Sequence, residues 1–161
     1  MLIKHTGFQM ASVVFKGRVP HFPAFSVKCG WINTPEHPGY PPKRKPSGAT
    51  IAQVARFNAQ SENPSHRRDF ADLFFVKMST STQLRRAVSK DISKAIRSGS
   101  FDATSTRALM QETLIGCITD GEWMANTPAW SKFKADNNLH PDPLIASQVM
   151  LNSITTEVSV L

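Results

Sequence analysis

The chain has 161 residues, with 40% hydrophobic and 19% charged residues and a net charge of +7. That length fits one domain with its own core and needs neither metal nor disulfide to fold. The composition excludes a disordered polyampholyte, and no apolar run approaches the roughly 18 residues of a membrane span. The first 14 residues lack the charged start, apolar stretch and cleavage site of a secretory signal, so the expectation is a protein used where it is made.

The charge is unevenly placed. Residues 1–48 hold seven Lys/Arg against one acidic residue, residues 49–99 nine against four, and residues 100–161 three against seven. A basic first part and an acidic last part suit contact with a polyanion, or head-to-tail contact between copies of the chain. The two cysteines, Cys29 and Cys117, form no Cys-x-x-Cys pair. They read as buried thiols in a reducing compartment.

Residues 1–23 are ambiguous. A short strand is hinted at by Ala11, Val13 and Phe15, and the segment also reads as an N-terminal arm. In residues 24–32, Phe25, Val27, Cys29 and Trp31 alternate with Ser26, Lys28 and Gly30, which predicts a strand. Residues 33–48 contain five prolines, two glycines and the run Lys43-Arg44-Lys45. Proline removes amide donors and fixes φ, so this segment is an extended loop. A lone His37 within it reads as solvated.

Ser47 or Thr50 can cap a short helix over 49–60. Residues 61–70 are a polar loop. The cluster Phe70, Leu73, Phe74, Phe75, Val76 and Met78 fits a strand or a helix entry. The clearest helix is 81–98, where Leu84, Val88, Ile92, Ala95 and Ile96 recur at helical spacing and Gly99 supplies a stop. A second helix spans 104–119, with Met110, Leu114, Cys117 and Ile118 on its apolar side and Gly121 ending or bending it. Thr127-Pro128 predicts a cap and first helical position, with Trp130 and Phe133 packing from the helix that follows. The chain closes on a half-buried strand, with Ile154, Thr156, Val158 and Val160 on one face.

No phosphate loop, dinucleotide fingerprint, nucleophile elbow or zinc signature occurs, and no carboxylate pair stands out as acid and base. The expectation is a non-enzyme without cofactor or metal. The best local candidate for a site is Arg86, Lys90, Lys94 and Arg97. At 100° per residue these four lie within about 80° of each other. Such a stripe can meet phosphates, pair with an acidic patch on a neighbouring subunit, or stay solvated. Lys43, Arg44 and Lys45 are a second candidate contact, along a nucleic-acid backbone or over a neighbour.

Four stretches carry a resemblance to a family: VKCGW at 27–31, GATIAQVARFNAQ at 48–60, NPSHRRDF at 63–70, and TPAW at 127–130 with DPLIASQVMLNSITTEVSV at 142–160. Together they resemble the small neck or tail-completion proteins of long-tailed bacteriophages, also called minor tail or virion-morphogenesis proteins. The closing stretch is the most specific, similar to the family's Pro-Leu-Ile, turn, and strand with Leu-x-x-Ser-Ile. Ala146-Ser147-Gln148 stands in place of its Asp-Thr-Gly turn, and His66-Arg67-Arg68-Asp69 in place of its Arg-Pro turn.

The resemblance implies an α+β fold, a small antiparallel sheet packed against several helices, with the Pro/Lys-rich loop added. It implies a structural part of the virion at the head–tail connector. Its partners would be copies of itself in a hexameric or dodecameric ring, other neck and tail-tube proteins, and the genomic DNA in the channel, with no membrane. The subunit would be made in the host cytoplasm and end in the virion. For the basic stripe, a protein neighbour is favoured over DNA, because a conduit must not grip its cargo. The alternatives are a tail-terminator ring protein and a small basic nucleic-acid-binding protein.

Overall fold

The alternation at 24–32 produces the central strand of the molecule. A computed structural model describes residues 2–6, 9–15, 24–39, 48–62, 67–123, 125–142 and 148–160. In it four antiparallel strands lie in the order β1 (Leu2–Thr6), β2 (Gln9–Phe15), β3 (Phe25–Gly30) and β4 (Thr155–Val160). Residues 2–6 and 9–15, in a segment open to reading as an arm, thus supply two strands of the sheet. β2 pairs with β3 through Val13↔Val27, and β3 with β4 through Val27↔Val158 and Cys29↔Thr156. Between β3 and β4 the chain makes a helical excursion: α1 (Ile51–Gln60), α2 (Phe70–Thr80), α3 (Thr82–Ser98), α4 (Thr104–Thr119), α5 (Pro128–Asp136) and α6 (Val149–Asn152). The fold is α+β, a small antiparallel sheet packed against helices.

Phe25, Val27 and Cys29 are buried beneath the helices. Because side chains alternate along a strand, Ser26 and Lys28 fall on the opposite face. There Lys28 Nζ lies 3.9 Å from Glu157 of the paired strand. Against the inner face packs α4, through Met110, Leu114, Cys117 and Ile118, all with 0% exposure. α2 and α3 pack on α4 in turn. The ambiguous cluster at 70–78 is the helix α2, and Phe70, Phe74 and Met78 are its buried stripe at four-residue spacing. The closing strand begins at Thr155, directly after Ile154, and the short helix α6 precedes it.

The capping signals work as local chemistry dictates. Thr50 accepts from the Gln53 N–H while the Gln53 side chain accepts from the Thr50 N–H, a reciprocal capping box. Thr127 caps α5, with Pro128 at its first position. At Gly121 the structure shows a different constraint from the one its position suggests, because α4 has already ended at Thr119. A Cβ on Gly121 would fall inside the indole of Trp123. That indole donates to the Ile118 carbonyl at 2.9 Å and meets Phe70 edge-on. Gly121→Ala is therefore expected to displace Trp123 and cost about 1–3 kcal/mol, read from urea unfolding with Trp fluorescence. A loss below about 0.5 kcal/mol, the range of ordinary surface changes, would show that the turn adjusts freely.

Both cysteines are free and buried. Burial pushes the Cys29 thiol up to about 12, and raises Cys117 as well. An unfolded thiol ionises near pH 8.5, so its stabilising contribution is whole below that pH. Above it the unfolded chain releases a proton that folded Cys29 keeps, and stability falls as pH rises. The expected slope from Cys29 is about 1.4 kcal/mol per pH unit between roughly pH 9 and the folded value. Urea midpoints measured at rising pH check this: Cys29→Ala should flatten the decline, and an unchanged decline would assign it to other groups.

Candidate interaction surface

The clearest candidate surface is built on α3. Ser81 Oγ accepts from the Leu84 N–H at 3.0 Å and starts the helix. Gly99 ends it with φ of 70°, donating to the Ala95 carbonyl at 2.8 Å. Leu84, Val88, Asp91 and Ala95 face inward and fix the helix's rotation. That rotation turns Arg86, Lys90, Lys94 and Arg97 outward, and all four are exposed. Ile96, read as part of the apolar stripe, is instead 57% exposed, at the margin of the basic face.

Asp91 explains how α3 is held. It is 3% exposed, and its two carboxylate oxygens accept from Ser105 N–H at 3.0 Å and Thr106 N–H at 2.7 Å. These amides open α4, whose own flanking residue, Ala103, has φ of 51° and offers no capping side chain. A residue of α3 thus performs the capping of α4, at the positive end of the α4 dipole. Asp102 adds a further acceptor, taking the Thr104 N–H at 3.1 Å.

The four cations are not equivalent. Lys94 Nζ lies 2.9 Å from an Asp102 carboxylate oxygen. The Lys94 hydrogen bond and the Thr104 N–H hold Asp102 well below the usual carboxylate range, and Lys94 is raised in return. Arg97 Nε donates to the Ser93 carbonyl at 3.1 Å. Among the described residues, Arg86, Lys90 and Arg97 form no salt bridge.

The second candidate contact, Lys43, Arg44 and Lys45, lies outside the described residues. What flanks it is ordered by bonds. His37 N–H donates to the Ala49 carbonyl at 2.8 Å, and Glu36 accepts from Gly48 N–H at 2.5 Å. His37 itself corrects the expectation of a solvated side chain. It is 3% exposed, its Nδ1 accepts from Gly39 N–H at 3.1 Å, and burial lowers its pKa. The imidazole folds back onto the loop's base because its neighbour's amide supplies a donor two residues on.

Two cations that sequence reasoning passed over are buried. Lys134 is 2% exposed, and its Nζ donates to the Asp142 carbonyl at 2.6 Å and the Pro141 carbonyl at 3.3 Å. It lies 6.0 Å from the centre of the Trp130 ring, which stacks on Phe133. Burial lowers its pKa, against the opposing pull of Asp142. The i, i+4 spacing of Trp130 and Lys134 was the available signal. Arg68 is 6% exposed, and its guanidinium donates to the Arg67 carbonyl at 2.9 Å. These groups hold loops in place and are shielded from large partners.

Among the described residues no group of three or more His, Cys, Asp and Glu could hold a metal ion, and no helix is long and apolar enough to cross a membrane. Comparison with protein-family models, curated proteins and solved structures finds no match for this chain.

Proposed function

We propose that this chain is a structural subunit of the neck of a long-tailed bacteriophage, completing the tail and joining it to the head in a ring around the DNA channel. The observation that carries the proposal is where the resembling stretches sit. Residues 27–31 and the closing strand are hydrogen-bonded neighbours in one sheet. Trp31 Nε1 donates to the Met150 carbonyl at 2.8 Å, tying the first stretch to the last across 119 residues. The 48–60 stretch is the capped helix α1, and its Ile51, Ala55 and Ala59 belong to the same core. Stretches far apart in sequence form one packed unit, which supports reading their likeness as a single inherited structure.

A ring requires two different patches per subunit, meeting head to tail and closing by rotation. The basic first 99 residues and acidic last 62 suit that arrangement. A tail-terminator ring protein is the neighbouring assignment, differing in position rather than chemistry. The test is electron microscopy of a lysate from a phage that carries this gene, with the gene deleted. Filled heads lying apart from finished tails support the neck assignment. Overlong tails shift it to a terminator. Normal, infectious particles contradict it.

A further inference from the structure

The exposed face of α3 has a composition that distinguishes between its candidate partners. Arg86 and Arg97 are eleven residues apart, so the face runs about 16 Å along the helix at 1.5 Å per residue. Ser93 stands beside these cations on the exposed side, with Gln83 toward one flank and Ser89 and Ile96 toward the other, all exposed. The helix's one acid, Asp91, is buried on the far side against α4. No aromatic residue or methionine occurs in α3, and Ile96 lies at the margin of the basic face.

Protein–protein interfaces concentrate their binding in aromatic, methionine and arginine anchors, and they are depleted in Lys. This face has arginines but no aromatic residue or methionine to fill a partner's pocket. What it offers is Arg, Lys, Ser and Gln side chains, the set that meets phosphate oxygens. Of the acids in the last 62 residues, Asp102, Asp136 and Glu157 already pair with Lys94, Lys132 and Lys28.

We infer that the α3 face binds the phosphodiester backbone of duplex nucleic acid, without sequence preference, through Arg86, Lys90 and Arg97, with Lys94 held in reserve by Asp102. Three cations make a shallow contact that salt weakens readily. Such a contact lets a duplex lie against the protein and still slide past it. The inference stands on the face itself and does not depend on the neck assignment, so either can fail alone.

The test is fluorescence anisotropy of the full chain with a labelled random-sequence DNA duplex, titrated between about 50 and 200 mM salt. Arg86→Gln/Lys90→Gln/Arg97→Gln should weaken binding tenfold or more at the lowest salt. It should also reduce the slope of log K against log salt by about 2.7, the share of three phosphate contacts. Asp102→Asn should act in the opposite direction. It keeps an oxygen for the Thr104 N–H and releases Lys94, steepening the slope by about 0.9. All substituted positions are exposed, and circular dichroism confirms that each variant is folded. Three results would overturn the inference: no binding by the unmodified chain at the lowest salt, a folded triple variant that binds as the unmodified chain does, or displacement of the duplex by poly-glutamate at equal charge, which would assign the face to an acidic protein.

Discussion

Asp91→Ala is expected to destabilise the protein by about 3 kcal/mol, because it strands two buried amides at the start of α4. For a chain of this size that corresponds to a fall in Tm of roughly 6–12 °C. Asp91→Asn keeps one acceptor oxygen and should lose about half as much. The effect exceeds that of an ordinary cap because α4 is the helix on which α2, α3 and the sheet all pack. Loosening its first turn also frees α3, and with it the orientation of the basic face. Urea unfolding followed by far-ultraviolet circular dichroism provides the values. A loss for the alanine variant below about 1 kcal/mol would mean that water or neighbouring groups satisfy these amides without the carboxylate.

Phe70→Ala should cost still more, about 4 kcal/mol. Phe70 is 0% exposed and lies between two indoles, 5.8 Å from Trp31 and 6.4 Å from Trp123, ring centre to ring centre. Trp31 continues β3, Phe70 opens α2 and Trp123 follows α4, so this aromatic group joins three parts of the chain. Removing the middle ring takes away apolar burial, two edge-on contacts and the support that positions both indoles. Phe70→Leu, which keeps most of the volume, should lose about 1–2 kcal/mol. Near-ultraviolet circular dichroism should weaken in the alanine variant even where it remains folded. An alanine variant as stable as the leucine variant would show that the core collapses around the gap.

The parts of the fold legible in the sequence were those set by local chemistry. The helix at 82–98 declared itself through four-residue apolar spacing and a terminal glycine, and the Thr127-Pro128 start through its cap and fixed φ. The strand at 25–30 followed from its alternation, as did the closing strand from 155 onward. The cluster at 70–78 stayed ambiguous because this helix has Leu73 and Phe75 half-buried on its flanks as well as a buried stripe, which blurs the periodicity. Residues 2–6 and 9–15 did not announce two strands, since pairing partners are a property of the whole sheet.

The candidate face was legible for the same reason as its helix. Four cations at 86, 90, 94 and 97 fall together whenever the helix forms, and the buried stripe opposite them dictates their exposure. What the sequence could not express is the role of charges in tertiary contacts. Asp91 reads as another surface acid until α4 places its first amides against it. Asp102 reads as a loop residue until Lys94 meets it. His37 reads as solvated and Lys134 draws no notice, because polar and long charged side chains are usually exposed. Each is buried here because nearby backbone groups supply hydrogen-bonding partners, carbonyls for Lys134 and an amide for His37.

Quantitative mass spectrometry of purified virions, from a phage that carries the gene, decides whether this chain is a ring-forming part of the particle. A ring subunit should be present in each particle at a fixed copy number, as a hexamer or dodecamer would supply. Absence from infectious virions, with the chain abundant in the infected cell, would rule out a structural role in the particle.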